Sequence, residues 1–111
     1  MIAVTEEVLA EMVEAIVREV DPERIYLFGS LAREDARAES DVDLLIVKRE
    51  PFGPTRSRWK EITRIRRALS RFRVPKDILV FNADEMAQWQ HSVNHIISRC
   101  LREGRLIYEQ S

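Results

Sequence analysis

The chain has 111 residues, 45% of them hydrophobic and 33% charged, with three glycines and four prolines. That is enough for one core of two packed layers, and it excludes low-complexity disorder. The formal net charge of −1 marks neither a nucleic-acid binder nor a membrane-surface protein, yet the charge is polarised: residues 1–23 hold seven acids against Arg18, and residues 54–76 hold nine bases against Glu61.

In "TEEVLAEMVEAIVREV" the apolar residues fall at 8, 9, 12, 13, 16, 17 and 20, the three-four spacing of a helix with one buried stripe. Thr5 is placed to cap it, acids occupy its first turn, and Asp21-Pro22 stops it. "RIYLF" (24–28) reads as a short strand ended by Gly29, and "LAREDAR" (31–37) as a short helix. "DVDLLIVK" (41–48) is a second strand and "EPFGPT" a loop. A second long helix is predicted from Arg56 to Phe72 on the stripe Trp59, Ile62, Ile65, Leu69 and Phe72. "KDILVF" (76–81) is the third strand, its apolar residues mostly β-branched or aromatic. Asn82 or Asp84 then caps a helix through about Gln90, another runs from about Val93 to Glu103, and Gly104 ends it as a C-cap. "RLIYE" is available for a closing strand.

Helices alternating with three core strands predict an α/β (α+β) fold: a small mixed sheet of three or more strands flanked by helices, in a single domain over 1–111. No apolar run approaches the roughly 20 residues that span a bilayer, and the opening residues lack the basic-then-apolar order of a signal peptide. With Cys100 as the sole cysteine there is no intramolecular disulfide to form, so a cytoplasmic location without a membrane partner is expected.

The chemistry concentrates between residues 28 and 47, "FGSLAREDARAESDVDLLIV". A strand ending in Gly29 and followed at once by a helix brings backbone N–H groups to a point with no Cβ to hold a phosphate away. Ser30 can cap that helix or donate to a phosphate oxygen, and Arg33 lies one turn on. Alone, these three residues read as an ordinary β-to-α turn with a solvated arginine. Asp41 and Asp43, however, stand two apart at the mouth of an apolar strand, on one side of the chain. Two like charges so close resist ionising together, and a cation between them relieves the repulsion. Mg²⁺ is usually held by one or two carboxylates plus the substrate's phosphates. Asp77 opens the third strand, and if that strand neighbours the second it would complete a site for two cations, the arrangement of two-metal phosphoryl transfer.

Phe28-Gly29-Ser30, ten residues, then Asp41-Val42-Asp43 on an apolar strand resembles the signature of the nucleotidyltransferase superfamily that includes DNA polymerase beta, poly(A) polymerases and kanamycin nucleotidyltransferase. "GSLAR", "SDVDLLIV" and the closing "REGRLIYE" resemble the minimal nucleotidyltransferases, the MNT group. The resemblance implies a polymerase beta-like fold in which Gly29 and Ser30 bind the triphosphate of ATP, with Arg33 at a position where the group often has a basic residue. It implies Asp41 and Asp43 as Mg²⁺ ligands and Asp77 as the third acid, acting on the incoming hydroxyl. Larger members carry a domain that grips the acceptor; here the acceptor is expected from outside. By the same resemblance the partner is a HEPN-type helical toxin, and the reaction is AMP transfer from ATP to a tyrosine of that toxin by its antitoxin. The alternatives are an antitoxin that silences its partner by binding alone, or a nucleotidyltransferase acting on a small molecule or RNA.

Other features have plainer readings. The basic face of the helix over 56–73 is solvated, bonded to the acidic first helix, or presented to an acidic partner or to nucleic acid phosphates; no aromatic is expected on its polar side. His91 and His95 are four apart, but with no third ligand in sight a zinc site is not expected. Cys100 is expected to be a small buried apolar side chain, and Trp59, Trp89 and Tyr26 core or partner-facing groups rather than a base-stacking site.

Overall fold

The computed structural model describes residues 4–29, 41–53 and 57–110. The predicted helix at 31–37 therefore lies outside the described residues, together with Ser30 and Arg33. Helix α1 spans Glu6–Val20, with the Thr5 hydroxyl accepting from the Val8 N–H and Leu9, Met12, Ile16 and Val20 buried. It ends at Asp21 in the left-handed region (φ 47°), one residue before proline. Strands β1 (Arg24–Phe28) and β2 (Val42–Lys48) follow, then helix α2 (Arg58–Ala68) and strand β3 (Lys76–Asn82). Helices α3 (Ala83–Trp89) and α4 (Ile96–Glu103) precede the closing strand β4 (Arg105–Glu109), so "RLIYE" does pair.

The four strands form one mixed sheet in the order β3-β2-β1-β4. β1 is antiparallel to both β2 and β4, whereas β2 and β3 are parallel and joined through α2. Alternation along the strands gives the sheet two apolar faces. Val42, Leu44, Ile46, Ile25, Leu27, Ile78 and Val80 join residues of α1 and α2 in the larger core. Tyr26, Leu45, Val47 and Cys100 form a smaller one, with Leu79, Phe81, Met86 and Ile96 packed against it.

α2 starts later and ends earlier, at Ala68 rather than Phe72, α4 starts later, and the choice of cap at α3 is settled. Ser57 caps α2 by accepting from the Trp59 N–H at 3.1 Å, so the helix starts after it. Trp59 leaves the predicted stripe and is 75% exposed, while Glu61 turns inward. At 100° per residue Trp59 lies about 120° around the helix from Ile65, whereas Glu61 sits one turn from it on the buried side. α4 begins only at Ile96, because the His95 side chain caps it, and Val93 stays exposed. At α3 the choice falls to Asn82: its Oδ1 accepts the Glu85 N–H at 2.8 Å while Glu85 Oε1 accepts the Asn82 N–H at 3.0 Å, a complete capping box. The expected bond between the acidic and basic helices is present, with Arg64 Nε donating to Glu19 Oε1 at 3.1 Å.

Candidate active site

The end of β1 and the two strand entrances that carry the predicted acids meet at one edge of the smaller face. β1 runs out at Phe28, which pairs with Asp43 across the antiparallel ladder, and Gly29 follows with φ 74°. Its backbone conformation favours glycine, and a Cβ there would overlap Asp43 Oδ2 and displace that carboxylate. The backbone of the turn thereby rests directly against a carboxylate.

On the other side Asp43 pairs in register with Asp77 of β3. Parallel partners about 4.8 Å apart point to the same face, so these two acids stand side by side. The conditional prediction that β2 and β3 are neighbours is met. Asp41, exposed, directly precedes β2. The Val42 N–H donates to the Pro75 carbonyl at 2.9 Å, which pins the entrance of β2 to that of β3. Lys76 takes no part: its ammonium donates to the Phe72 carbonyl at 3.0 Å, and burial, then the nearby Arg66, lowers its pKa.

Beyond Gly29 the site opens into a cavity of about 200 Å³ lined by Phe28, Gly29, Ile96, Arg99, Cys100 and Glu103. Its wall is thus α4, which sequence reasoning did not connect to the site. The signal was present, since 96, 99, 100 and 103 follow the i, i+3, i+4, i+7 spacing of one helical face. Arg99 and Glu103 pair at 3.4 Å on this wall. Cys100 is buried as predicted, and its thiol is pushed from the ordinary 9.0 to about 11. Burial is the main cause; Arg99 opposes it, and Asp43 and Glu103 add to it. A thiol so held is protonated near neutrality and is no nucleophile. His95 is likewise occupied: Nδ1 accepts from the Ile97 N–H at 3.0 Å and the ring stacks on Trp89 at 4.5 Å.

Among the described residues no group of three or more His, Cys, Asp or Glu side chains could by itself hold a metal ion. The donor set fits a shared ion instead. Carboxylate oxygens are hard ligands suited to Mg²⁺, which characteristically completes its shell from substrate phosphates and water. The space for such a group lies in the cavity beyond Gly29.

Residues 11–111 match the family model described as Polymerase beta, Nucleotidyltransferase, and the chain belongs to that family. The family supports a transferase. No curated protein matches the sequence. Among solved structures, a toxin-antitoxin crystal structure with AMP-PNP aligns at 17% identity and TM-score 0.54, over 90% of this chain and 73% of that one. A toxin-antitoxin MntA-HpeT mutant aligns at 14% and 0.54, over 97% and 76%. A candidate nucleotidyltransferase from Sulfolobus solfataricus aligns at 19% and 0.51, over 90% and 88%. These likenesses show the shared fold, a four-stranded mixed sheet with helices on both faces.

Proposed function

We propose that this chain transfers AMP from ATP to a tyrosine hydroxyl of a partner protein, as the antitoxin of a HEPN/MNT toxin–antitoxin pair. The observation that carries the reading is the contact between the Gly29 turn and the Asp43 carboxylate, with Asp77 directly across from Asp43. A glycine turn against a carboxylate pair suits a triphosphate whose charge is shared with a cation. The toxin–antitoxin structures of the same fold, one of them with AMP-PNP, support the choice of nucleotide and partner.

In this reading Gly29 and Ser30 seat the triphosphate, and Arg33 is a further nucleotide-binding residue. Asp41, Asp43 and Asp77 would hold Mg²⁺, two ions being expected; when bound, it neutralises charge on the α-phosphate and on the departing pyrophosphate. Asp77 orients the incoming hydroxyl and draws off its proton, so that the tyrosine oxygen forms a bond to the α-phosphorus as pyrophosphate leaves. The cavity beside α4 receives the part of the nucleotide that extends past Gly29.

The test incubates the protein with Mg²⁺ and α-labelled ATP, with and without a HEPN-type partner, and weighs both chains intact. The expected result is one or more AMP units on the partner, reduced at least about a hundredfold by Asp41→Ala or by Asp43→Ala with circular dichroism unchanged, because each removes a ligand rather than its support. A stable complex that never gains AMP would replace the proposal with an antitoxin that acts by binding.

A further inference from the structure

The surface furthest from the proposed chemistry in character is the outer side of α2. Between Ser57 and Lys76 every exposed ionisable side chain is a cation: Lys60, Arg64, Arg66, Arg67, Arg71 and Arg73, while Glu61 is buried. Arg64 is engaged by Glu19 and Glu61. Arg71 lies over the Phe72 ring at 4.2 Å. Among the described residues Lys60, Arg66, Arg67, Arg71 and Arg73 make no ion pair. Charge is crowded enough there that Arg66 lowers the pKa of neighbouring Lys76, after burial has done so.

At the start of this run of cations stands Trp59, 75% exposed, in a shallow groove of about 370 Å³ lined by Trp59, Lys60, Thr63, Arg64 and Arg67. A single exposed indole is ordinary in itself, but one bordered by cations sets a flat ring beside anion-binding groups. The polar side of this helix does carry an aromatic, contrary to the sequence-based expectation. The strip also has a direction. α2 returns from the far end of β2, where Arg58 meets Glu85 of α3, to the entrance of β3, where Asp77 lies. Trp59 is therefore at one end and Arg73 near the end of the sheet that holds the acids.

We infer that this strip, Trp59 with Lys60, Arg66, Arg67, Arg71 and Arg73, binds single-stranded nucleic acid, with the indole stacked on a base and the cations on the phosphates. An acidic protein would satisfy the charges but offers the indole nothing specific. A membrane surface would want more than one exposed apolar group. A nucleotide strand supplies a flat ring and an anion together, and four of the five available cations are arginines, whose planar fork suits phosphate. The inference does not depend on nucleotidyl transfer and is tested without ATP.

The experiment follows the fluorescence anisotropy of a labelled oligouridylate about a dozen nucleotides long. Five phosphate contacts predict a loss of affinity of about a hundredfold between about 50 and 200 mM salt. Trp59→Ala should weaken binding about tenfold and leave that salt dependence intact. Arg66→Glu combined with Arg67→Glu should weaken binding further and flatten the slope by at least about 1.4 in log–log terms, two contacts' worth. Both variants alter exposed side chains, and circular dichroism confirms the fold. Absence of binding, indifference to Trp59→Ala, or displacement of the RNA by polyglutamate or anionic vesicles as effective as by unlabelled RNA overturns the inference.

Discussion

The two faces of the sheet are built on opposite terms. On the α1/α2 face fifteen buried apolar residues form one continuous core, and alternate residues of β1, β2 and β3 all feed it. On the α3/α4 face the buried cluster among the described residues is smaller, Tyr26, Leu45, Val47 and Cys100, with partly buried Phe28, Leu79, Phe81, Met86, Ile96 and Leu101 packed against it. The acids stand on this second face, where Asp43 follows the same alternation as Leu45 and Val47. Stability drawn from one side lets the other side carry like charges and an open cavity without unfolding.

Adjacent residues of β2 allow the difference to be measured directly. Leu44 and Leu45 are both fully buried, but they point to opposite faces. Leu44→Ala opens a hole in a rigid, densely surrounded core and should cost about 4 kcal/mol, whereas Leu45→Ala, next to a layer able to settle inward, should cost about 2–3 kcal/mol. Urea denaturation of both variants checks this. Equal losses would mean that the smaller face is as rigidly packed as the larger.

Cys100 tests the smaller face through its electrostatics. Its folded pKa is raised from 9.0 to about 11, so the folded chain keeps a proton that the unfolded chain releases. Its contribution is complete below about pH 9 and is lost as pH rises toward 11, at no more than about 1.4 kcal/mol per pH unit and about 2 kcal/mol in all. Comparison with Cys100→Ser, which has no thiol to ionise, isolates this contribution from the lysines and tyrosines titrating in the same range. The expected outcome is a wild-type stability curve that falls more steeply than the variant's between pH 9 and 11; parallel curves would place the thiol in contact with water.

Much of this division is legible in the residues. The stripe of α1 and the apolar runs of β2 and β3 report the large core because burial on one helical stripe, or on both strand faces, leaves a periodic mark. Gly29, Asp41 and Asp43 are close in sequence and are drawn into one turn and strand, so their association is local. The membership of Asp77 depends on which strand lies beside β2, a tertiary fact that local pattern only permits. The role of α4 as the cavity wall is non-local in the same way. Trp59 was misplaced because large apolar residues at helical spacing look alike whether or not the arc they span is buried; the inward turn of Glu61 shows where its centre falls. His91 and His95 share no helical face, because a side-chain cap at His95 competes with helix extension.

The smallest expected effect concerns what holds the thinner layer in place. α3 buries no residue completely, so its attachment rests on local devices: the reciprocal Asn82–Glu85 box and the ion pair between Arg58 and Glu85. Asn82→Ala removes the oxygen that accepts the Glu85 N–H and should cost about 1 kcal/mol. Whether that loss is local or global separates two views of the molecule. If α3 opens independently, hydrogen exchange of its amides should quicken about fivefold, the equivalent of that energy, while amides of α1 and β2 keep their protection. If the two faces instead unfold as one unit, all protected amides would quicken together. The first outcome is expected, since α3 touches the sheet mainly through half-buried Met86 and its own cap.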